Sequence, residues 1–389
     1  MSMLADVAIV GAGIVGLAHA WAAAKRGKRV LLFDRHRAAQ GASIRNFGMI
    51  WPVGQPSGAP HELAMRSRAL WLEAGGQANI WFNRCGSLHV AYHDDELAVL
   101  EEFGNLAANH HELQMLSPVA ACERSPAVRR DGLLGALWSP TELCVDPREA
   151  IRVLPRWLAE AHGVELRFET SICEVDSSLL VSTDGRRWQA EQIVICSGDD
   201  FKTLFPDVLA TCGMRRCKLQ MLRTVGQPND WRIGPHLAGG LTLRHYASFA
   251  QCPSLPALKR RIAAENPELD AYGIHVMASQ NRMGEVILGD SHEYDAAIEP
   301  FDKARIDELI LSELHKLIEL PDWTIAERWH GIYAKHPTHL FVVCEPRPGV
   351  TVCTATGGAG MTLSFGIADD FWNLGEHARG RRNIELKSG

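Results

Sequence analysis

The sequence predicts an α/β chain, α+β overall, in which a doubly wound parallel-sheet domain is interleaved with a second domain built on a mostly antiparallel sheet. Three observations predict it. Val7–Gly16, reading VAIVGAGIVG, is a short apolar strand that runs straight into a glycine turn and then a helix through Leu17–Arg26. Residues 211–300 change character, with strand-like runs at 217–225, 240–249, 274–279 and 285–290 separated by polar turns. Near the other end, Val350–Thr356 leads into Gly357-Gly-Ala-Gly-Met-Thr-Leu-Ser-Phe-Gly366, a second glycine-rich strand-to-helix turn.

The first turn has the spacing GxGxxG of a Rossmann-like nucleotide site. Gly11 allows the tight turn, Gly13 leaves no side chain between backbone and phosphate, and Gly16 lets the helix pack close to the strand. The helix start at Ile14 and Val15 presents free N–H groups to an anion. Glycines follow many strands, so context decides. Here the strand precedes, the helix follows, and a second apolar strand, Arg29–Phe33, ends in Asp34. An acidic residue about 20 positions beyond the glycines is where a ribose hydroxyl is bound.

The chain has 389 residues, enough for two domains and a large core. With 46% hydrophobic and 22% charged residues it is not disordered, and a net charge of −6 gives no basic surface for nucleic acid or acidic membrane. The ten cysteines form no CxxC pair and no Cys/His cluster at zinc spacing, so no metal site is expected and the usage suits a reducing, cytoplasmic compartment. Residues 7–24 are nearly uncharged, yet three glycines at dinucleotide spacing, and no second long apolar span, speak against a leader or membrane segment. Monomer and homo-oligomer are both open.

After Asp34 and Arg35 comes a loop in which Gly41, Ser43, Arg45, Asn46 and Gly48 combine small residues with donors, as a segment wrapping a polyanion requires. Helical apolar patterns follow at 61–74, 94–110 and 147–162, the last opened by Asp146-Pro147, a capping acid with proline at the first turn. Strands are expected at Val164–Phe168, Ser171–Val175 and Leu179–Thr183, with a turn at Asp184-Gly185. Gln192–Cys196 is an apolar strand meeting Ser197-Gly198 at its end, a position that can lie against the same ligand. Further helices are expected near 254–264, 302–319 and 364–376, and a strand at Leu340–Val343.

Taken in order, GAGIVG, Asp34, the Gly41-Ala-Ser43 loop, Ser197-Gly198 and the GGAGMT turn resemble the D-amino-acid oxidase superfamily of flavoproteins, the group containing glycine and sarcosine oxidases. The phrases at 41–48, 274–281, 289–294 and 327–335 resemble a narrower branch proposed to oxidise aminophosphonates related to 2-aminoethylphosphonate in phosphonate catabolism. The resemblance implies FAD, with AMP near Asp34 and Arg35 and pyrophosphate on Gly11–Gly16. It places the ring system between residues 43–48, Phe47 included, and 358–362, that is Gly358, Ala359, Gly360, Met361 and Thr362. The backbone of Val175 would face the adenine. Residues 1–80, 145–210 and 326–389 would form the FAD-binding domain, and 81–144 with 211–325 the substrate domain. The loop offers Arg45 where some relatives attach the cofactor through histidine, and no cysteine lies between residues 253 and 343, so non-covalent FAD is expected.

In glycine-oxidase-like members an arginine in the segment matching Gly331–Lys335 grips the substrate carboxylate; here the comparable position is Tyr333. A tetrahedral phosphonate suits several converging donors better than one planar fork. Candidates are Arg223, Arg244, His245, Tyr246, His330, Tyr333 and Lys335, with His245, Tyr246 and Tyr333 ranked first; Trp329 reads as core. The implied reaction transfers hydride from the carbon next to nitrogen to flavin N5, gives an imine and then an aldehyde, and reduces O2 to H2O2. The alternatives are a glycine- or sarcosine-type amino acid oxidase, a dehydrogenase with another acceptor, and a non-catalytic FAD-binding subunit of a redox complex. The late glycine turn disfavours a nicotinamide enzyme.

Overall fold

The computed structural model describes residues 5–295 and 297–373. Ala5–Val10 is apolar at five of its six positions and lies inside an eight-stranded sheet, where both faces of a strand are covered. Val30–Phe33 and Arg187–Ile195 flank it in parallel, with Val10 opposite Phe33 on one side and Ile195 on the other. Glu165–Arg167 and Val350–Thr354 extend the parallel set outward. A hairpin of Ile172–Asp176 and Leu179–Ser182 continues onto the start of Arg187–Ile195, and Val342–Arg347 closes the other flank in antiparallel fashion. The carboxyl ends of the parallel strands therefore share one edge, where ligands of such sheets bind.

Helix Ile14–Ala24 packs on helix Gly360–Asn373, which packs on helix Ala59–Gln77. Phe365 meets Trp21 and Trp71 edge-on, with ring centroids 5.4 and 4.8 Å apart. The Trp71 indole N–H donates to the Met361 carbonyl at 2.6 Å, which anchors the late glycine turn to the body of the domain. Gly366 makes the close helix contact possible, since a Cβ there would stand 2.8 Å from the Leu63 carbonyl oxygen. Helix Pro147–His162 starts as its sequence predicts: the Asp146 carboxylate accepts from the N–H of Arg148 and Glu149, and Gly163 ends it in the left-handed region at φ 67°.

The second sheet has nine strands. Arg215–Gly226 pairs with Ile325–Lys335 on one side and with Glu285–Gly289 and Glu293–Asp295 on the other. Met277–Gln280, His236–Ala238, Ser87–Ala91, Gly135–Ser139 and Gln114–Leu116 follow across the sheet. All these pairings are antiparallel except that of His236–Ala238 with Ser87–Ala91.

Three expectations need correction. Residues 240–249 are not a strand: Gly240–Leu243 is a helical turn and Ala247–Phe249 a 3-10 turn, because Gly240 packs where a Cβ would lie 2.1 Å from the Glu96 carboxyl carbon. Ile325–Lys335 is a full-length strand of the antiparallel sheet, so a division at 326 falls at its start; the polar run Glu327, Arg328 and His330 hid it from apolar periodicity. The last helix begins at Gly360, and positions beyond 373 lie outside the described residues. Replacing Gly366 with valine is expected to force the two helices apart and cost ~1–3 kcal/mol, read as a lowered Tm by circular dichroism; an unchanged Tm would show that this contact does not position the turn.

Candidate active site

A cavity of about 930 Å3 opens at the carboxyl edge of the parallel sheet and runs under the antiparallel one. Both glycine turns line it: Gly11 and Gly13 from the first, Gly357, Gly358, Gly360 and Met361 from the second. The two turns meet over one space, with an ideal Cβ on Gly360 only 3.9 Å from Ile14 Cγ2.

At the first turn the two outer glycines serve the backbone and the middle one serves the cavity. Gly11 has φ 104°, and a Cβ on it would lie 2.3 Å from the Cys196 carbonyl oxygen; one on Gly16 would lie 1.8 Å from the Gly11 carbonyl oxygen. A Cβ on Gly13 would meet only Ser43 Oγ, at 3.0 Å, and project at the cavity. The first helical turn carries no acid, and Gly13 supplies no side-chain cap. An anion is the natural complement of such an end. The Asp34 carboxylate accepts from the Ala12 and His36 N–H groups at 2.8 and 2.9 Å, which ties the end of the second strand to the turn.

Arg35 lines the cavity and is bound to Asp200 at 2.5 Å. Burial opposes ionisation of Asp200, but hydrogen bonds from Thr203, Arg35 and the backbone N–H groups of Lys202 and Thr203 outweigh it and hold the carboxyl at about 2. In the loop after Asp34, Gly41, Ser43, Arg45, Asn46 and Phe47 all face the cavity. Ser43 Oγ accepts from the Ile14 N–H at 2.9 Å, and Arg45 donates to the His330 carbonyl at 3.1 Å, so the loop bridges helix start and sheet. Asn46 is held by its own loop, donating to the carbonyls of Ala42 and Ser43 and accepting from Gly48.

Several expected residues lie behind the wall. Gly16, Gly48, Ala359 and Thr362 are absent from the lining; Gly48 has no room for a Cβ beside the Val145 carbonyl, and Thr362 accepts from the Trp51 N–H at 2.9 Å. Val175 is packed in a buried cluster with Ile172, Leu180 and Ile195, and the wall near Asp34 is formed instead by residues 170–173. Ile14, Val15, Ser197 and Gly198 do line the cavity.

Among the anion-binding candidates, Tyr246 and Tyr333 reach the far end of the cavity. Tyr333 lies 3.8 Å, through its hydroxyl, from where a Gly358 Cβ would stand; burial raises its pKa, so it remains a neutral phenol. Lys335 is outside the lining: its Nζ donates to the Tyr294 hydroxyl at 3.2 Å, and burial pulls its ammonium below the ordinary value. His330 is turned to Asp302 at 2.8 Å. Arg223 is consumed by Glu285 and Glu327, and Arg244 by Asp270 and the carbonyls of Leu269 and Ile274. His245 lies behind His275 and His292, stacked on both.

His275, Asp290 and His292 line the cavity and were assigned no role from sequence. The signal was present, for the strand-like runs 274–279 and 285–290 pair as a hairpin, which brings His275 opposite Asp290 with reciprocal backbone bonds of 3.1 and 2.8 Å. His275 Nε2 lies 2.5 Å from Asp290 Oδ1. Burial is the main cause that keeps His292 at about 4 and His245 well below the ordinary histidine range, with Asp290 pulling His292 the other way.

The fold and this cavity define the chain as a two-sheet dinucleotide-binding protein. Residues 6–371 match the DAO family, described as FAD dependent oxidoreductase, and the chain belongs to that family. It is 28% identical over 205 residues to glycine oxidase of Geobacillus kaustophilus, covering 50% of this chain and 54% of that protein. It is 26% identical over 381 residues to the bifunctional protein ThiO/ThiG of a Nostoc species, covering 93% and 51%. The chain spans between about a third and about half of the length of the first curated relatives it matches. The fold is that of glycine oxidase from Bacillus cereus, with a TM-score of 0.75 at 17% identity over 98% of this chain and 100% of that one. Iminodiacetate oxidase from a Chelativorans species superposes with a TM-score of 0.72 at 20% identity over 98% and 97%. Among the described residues no helix is long and apolar enough to cross a membrane.

Gly13→Val places a branched side chain in the cavity beside Ser43, and the purified variant is expected to be colourless but folded by circular dichroism. Flavin absorbance equal to that of the parent protein would refute this placement of the first turn.

Proposed function

We propose that this chain is an amine oxidase that holds FAD non-covalently and acts on an aminophosphonate, such as 2-aminoethylphosphonate or an N-methyl or hydroxy derivative, with O2 as electron acceptor. The observation that carries this reading is the far end of the cavity. Tyr333 stands there in place of a carboxylate-gripping arginine, among Tyr246, His275 and His292. Of the arginines that line the cavity, Arg35 pairs with Asp200, Arg216 donates to the Asp199 carbonyl, and Arg45 gives one N–H to the His330 carbonyl. At the Tyr333 position a planar carboxylate meets a phenol and no guanidinium fork, whereas a tetrahedral group can be reached from several sides.

In this reading Gly11 and Gly13 leave space for the pyrophosphate, Ile14 and Val15 begin the helix that faces it, and Asp34 takes a ribose hydroxyl. The loop from Gly41 to Phe47 and the turn from Gly358 to Met361 enclose the ring system. Bound FAD supplies the two-electron acceptor for the C–H bond next to the substrate nitrogen. The chain's own contribution is to hold the amine unprotonated and aimed, and to exclude bulk water, which lowers the barrier through orientation. Release of the imine to water yields aldehyde and ammonia or methylamine, and O2 leaves as H2O2.

Holoenzyme mixed anaerobically with 2-aminoethylphosphonate or its N-methyl derivative is expected to lose its visible flavin absorbance within the turnover time, and to regain it with H2O2 release on admitting air. Bleaching by glycine or sarcosine alone would replace the substrate by a simple amino acid; reoxidation only by a quinone or carrier flavoprotein would make the chain a dehydrogenase. No bleaching by any amine would leave a non-catalytic subunit. In the same assay Tyr333→Phe is expected to raise KM about 10-fold, a loss of ~1.4 kcal/mol in binding, with the flavin spectrum retained; an unchanged KM would remove Tyr333 from the substrate site.

A further inference from the structure

We propose that His245, His275 and His292 form a binding site for one divalent transition-metal ion of the zinc class, open on its fourth side to the cavity. One ligand nitrogen from each lies within 4.8 Å of the others. The three rings are packed together, with centroids 4.5, 4.8 and 5.2 Å apart. They come from two separate parts of the antiparallel domain: His245 follows the helical turn Gly240–Leu243, and His275 and His292 flank the hairpin of Met277–Gln280 and Glu285–Gly289.

Two of the three rings have a second polar neighbour of the kind a ligand histidine uses. Metal-bound histidines hand their other ring N–H to a carboxylate or a carbonyl, which fixes the tautomer and aims the free nitrogen. His275 Nε2 is 2.5 Å from Asp290 Oδ1, close enough for an ion pair though not aligned as a hydrogen bond, and His292 Nδ1 is 3.3 Å from the Gly273 carbonyl oxygen. With the proton on those two nitrogens, Nδ1 of His275 and Nε2 of His292 carry the lone pairs. His275 Nδ1 has one long neighbour, Thr242 Oγ1 at 3.5 Å. His245 Nε2 is shut off from solvent with no hydrogen-bond partner. A cation on these nitrogens gives that atom its partner.

The charges agree with a cation rather than a bare anion pocket. Asp290 is buried beside the rings, and the nearest cations are turned elsewhere, Arg244 to Asp270 and Lys335 to the Tyr294 hydroxyl. Three imidazoles with an open fourth position suit zinc, and suit nickel, cobalt or copper by the same ligand softness, whereas magnesium and calcium require oxygen ligands. His275 and His292 line the cavity, so the open position faces the same space as Tyr246 and Tyr333. Resting on the aminophosphonate reading, the ion is the anchor for a phosphonate oxygen, and it fills the role that an arginine plays for a carboxylate.

The test uses EDTA-treated holoenzyme titrated with Zn2+ against a chromophoric chelator. One equivalent per chain is expected at micromolar Kd or tighter. His245→Ala and His292→Ala are each expected to abolish that equivalent, and Asp290→Asn to weaken it about 10- to 100-fold, all with flavin retained as the check on folding. A double variant of the surface pair, His336→Ala with His339→Ala, is expected to bind Zn2+ as the parent does. Zinc uptake that is absent, or that disappears only with the surface pair, overturns the site. Ethylphosphonate, which has no amine to oxidise, is then titrated through its perturbation of the flavin spectrum. Binding at least about 10-fold tighter in the zinc-loaded protein supports the anchor, and equal affinity overturns it. Turnover of 2-aminoethylphosphonate at unchanged KM by the EDTA-treated protein would remove the metal and keep the substrate; tight zinc binding without any response to aminophosphonates would keep the site and remove the substrate.

Discussion

The close approach of Gly16 to the Gly11 carbonyl, and of Gly11 to the Cys196 carbonyl, is the constraint on which the rest of the molecule depends. A single Cβ at either position would fall 1.8 or 2.3 Å from a backbone oxygen. With neither present, the first helix can start directly off the sheet, and its N-terminus points along the carboxyl edge where Val10, Phe33 and Ile195 end together. A cavity at that edge then follows from topology. The late turn reaches the same place because Val350–Thr354 runs parallel to Arg187–Ile195 and because the final helix is held on the first by Gly366, Phe365 and the Trp71–Met361 hydrogen bond.

The far half of the cavity rests on a different kind of constraint. Its walls come from the long strands Arg215–Gly226 and Ile325–Lys335 and from the hairpin that carries His275 and Asp290. Here polar side chains are buried with few partners, and what they cost in desolvation must be returned by a ligand or by each other. Asp290 Oδ1 lies 2.5 Å from His275 Nε2 without hydrogen-bond alignment, and His245 Nε2 has no hydrogen-bond partner. In the proposed reading the two halves divide the work: a backbone-lined cradle would hold the cofactor, and a side-chain-lined pocket would take the substrate.

That division explains which parts were legible in advance. Motif glycines announce themselves because backbone approach demands glycine at set spacing, and Gly11, Gly13 and Asp34 all line the cavity. Gly16, Gly48 and Thr362 belong to the same motifs but serve packing behind the wall, a distinction that depends on which way each residue faces after the helices dock. Arg223, Arg244 and His330 read equally well as anion binders until their partners are seen, and Glu285, Asp270 and Asp302 lie up to 62 residues away from them in sequence. Ile325–Lys335 escaped notice because it is half exposed and charged, so apolar periodicity is weak along it.

From its sequence alone the chain declared a mixed α/β architecture, two glycine turns and the kinship that joins them, since these depend on local backbone geometry and on the order of short motifs. Only the tertiary structure decided which side chains share the cavity. Tyr333, Tyr246, His275 and His292 converge there from distant positions, and convergence is set by strand register and helix docking, which no single stretch of sequence contains.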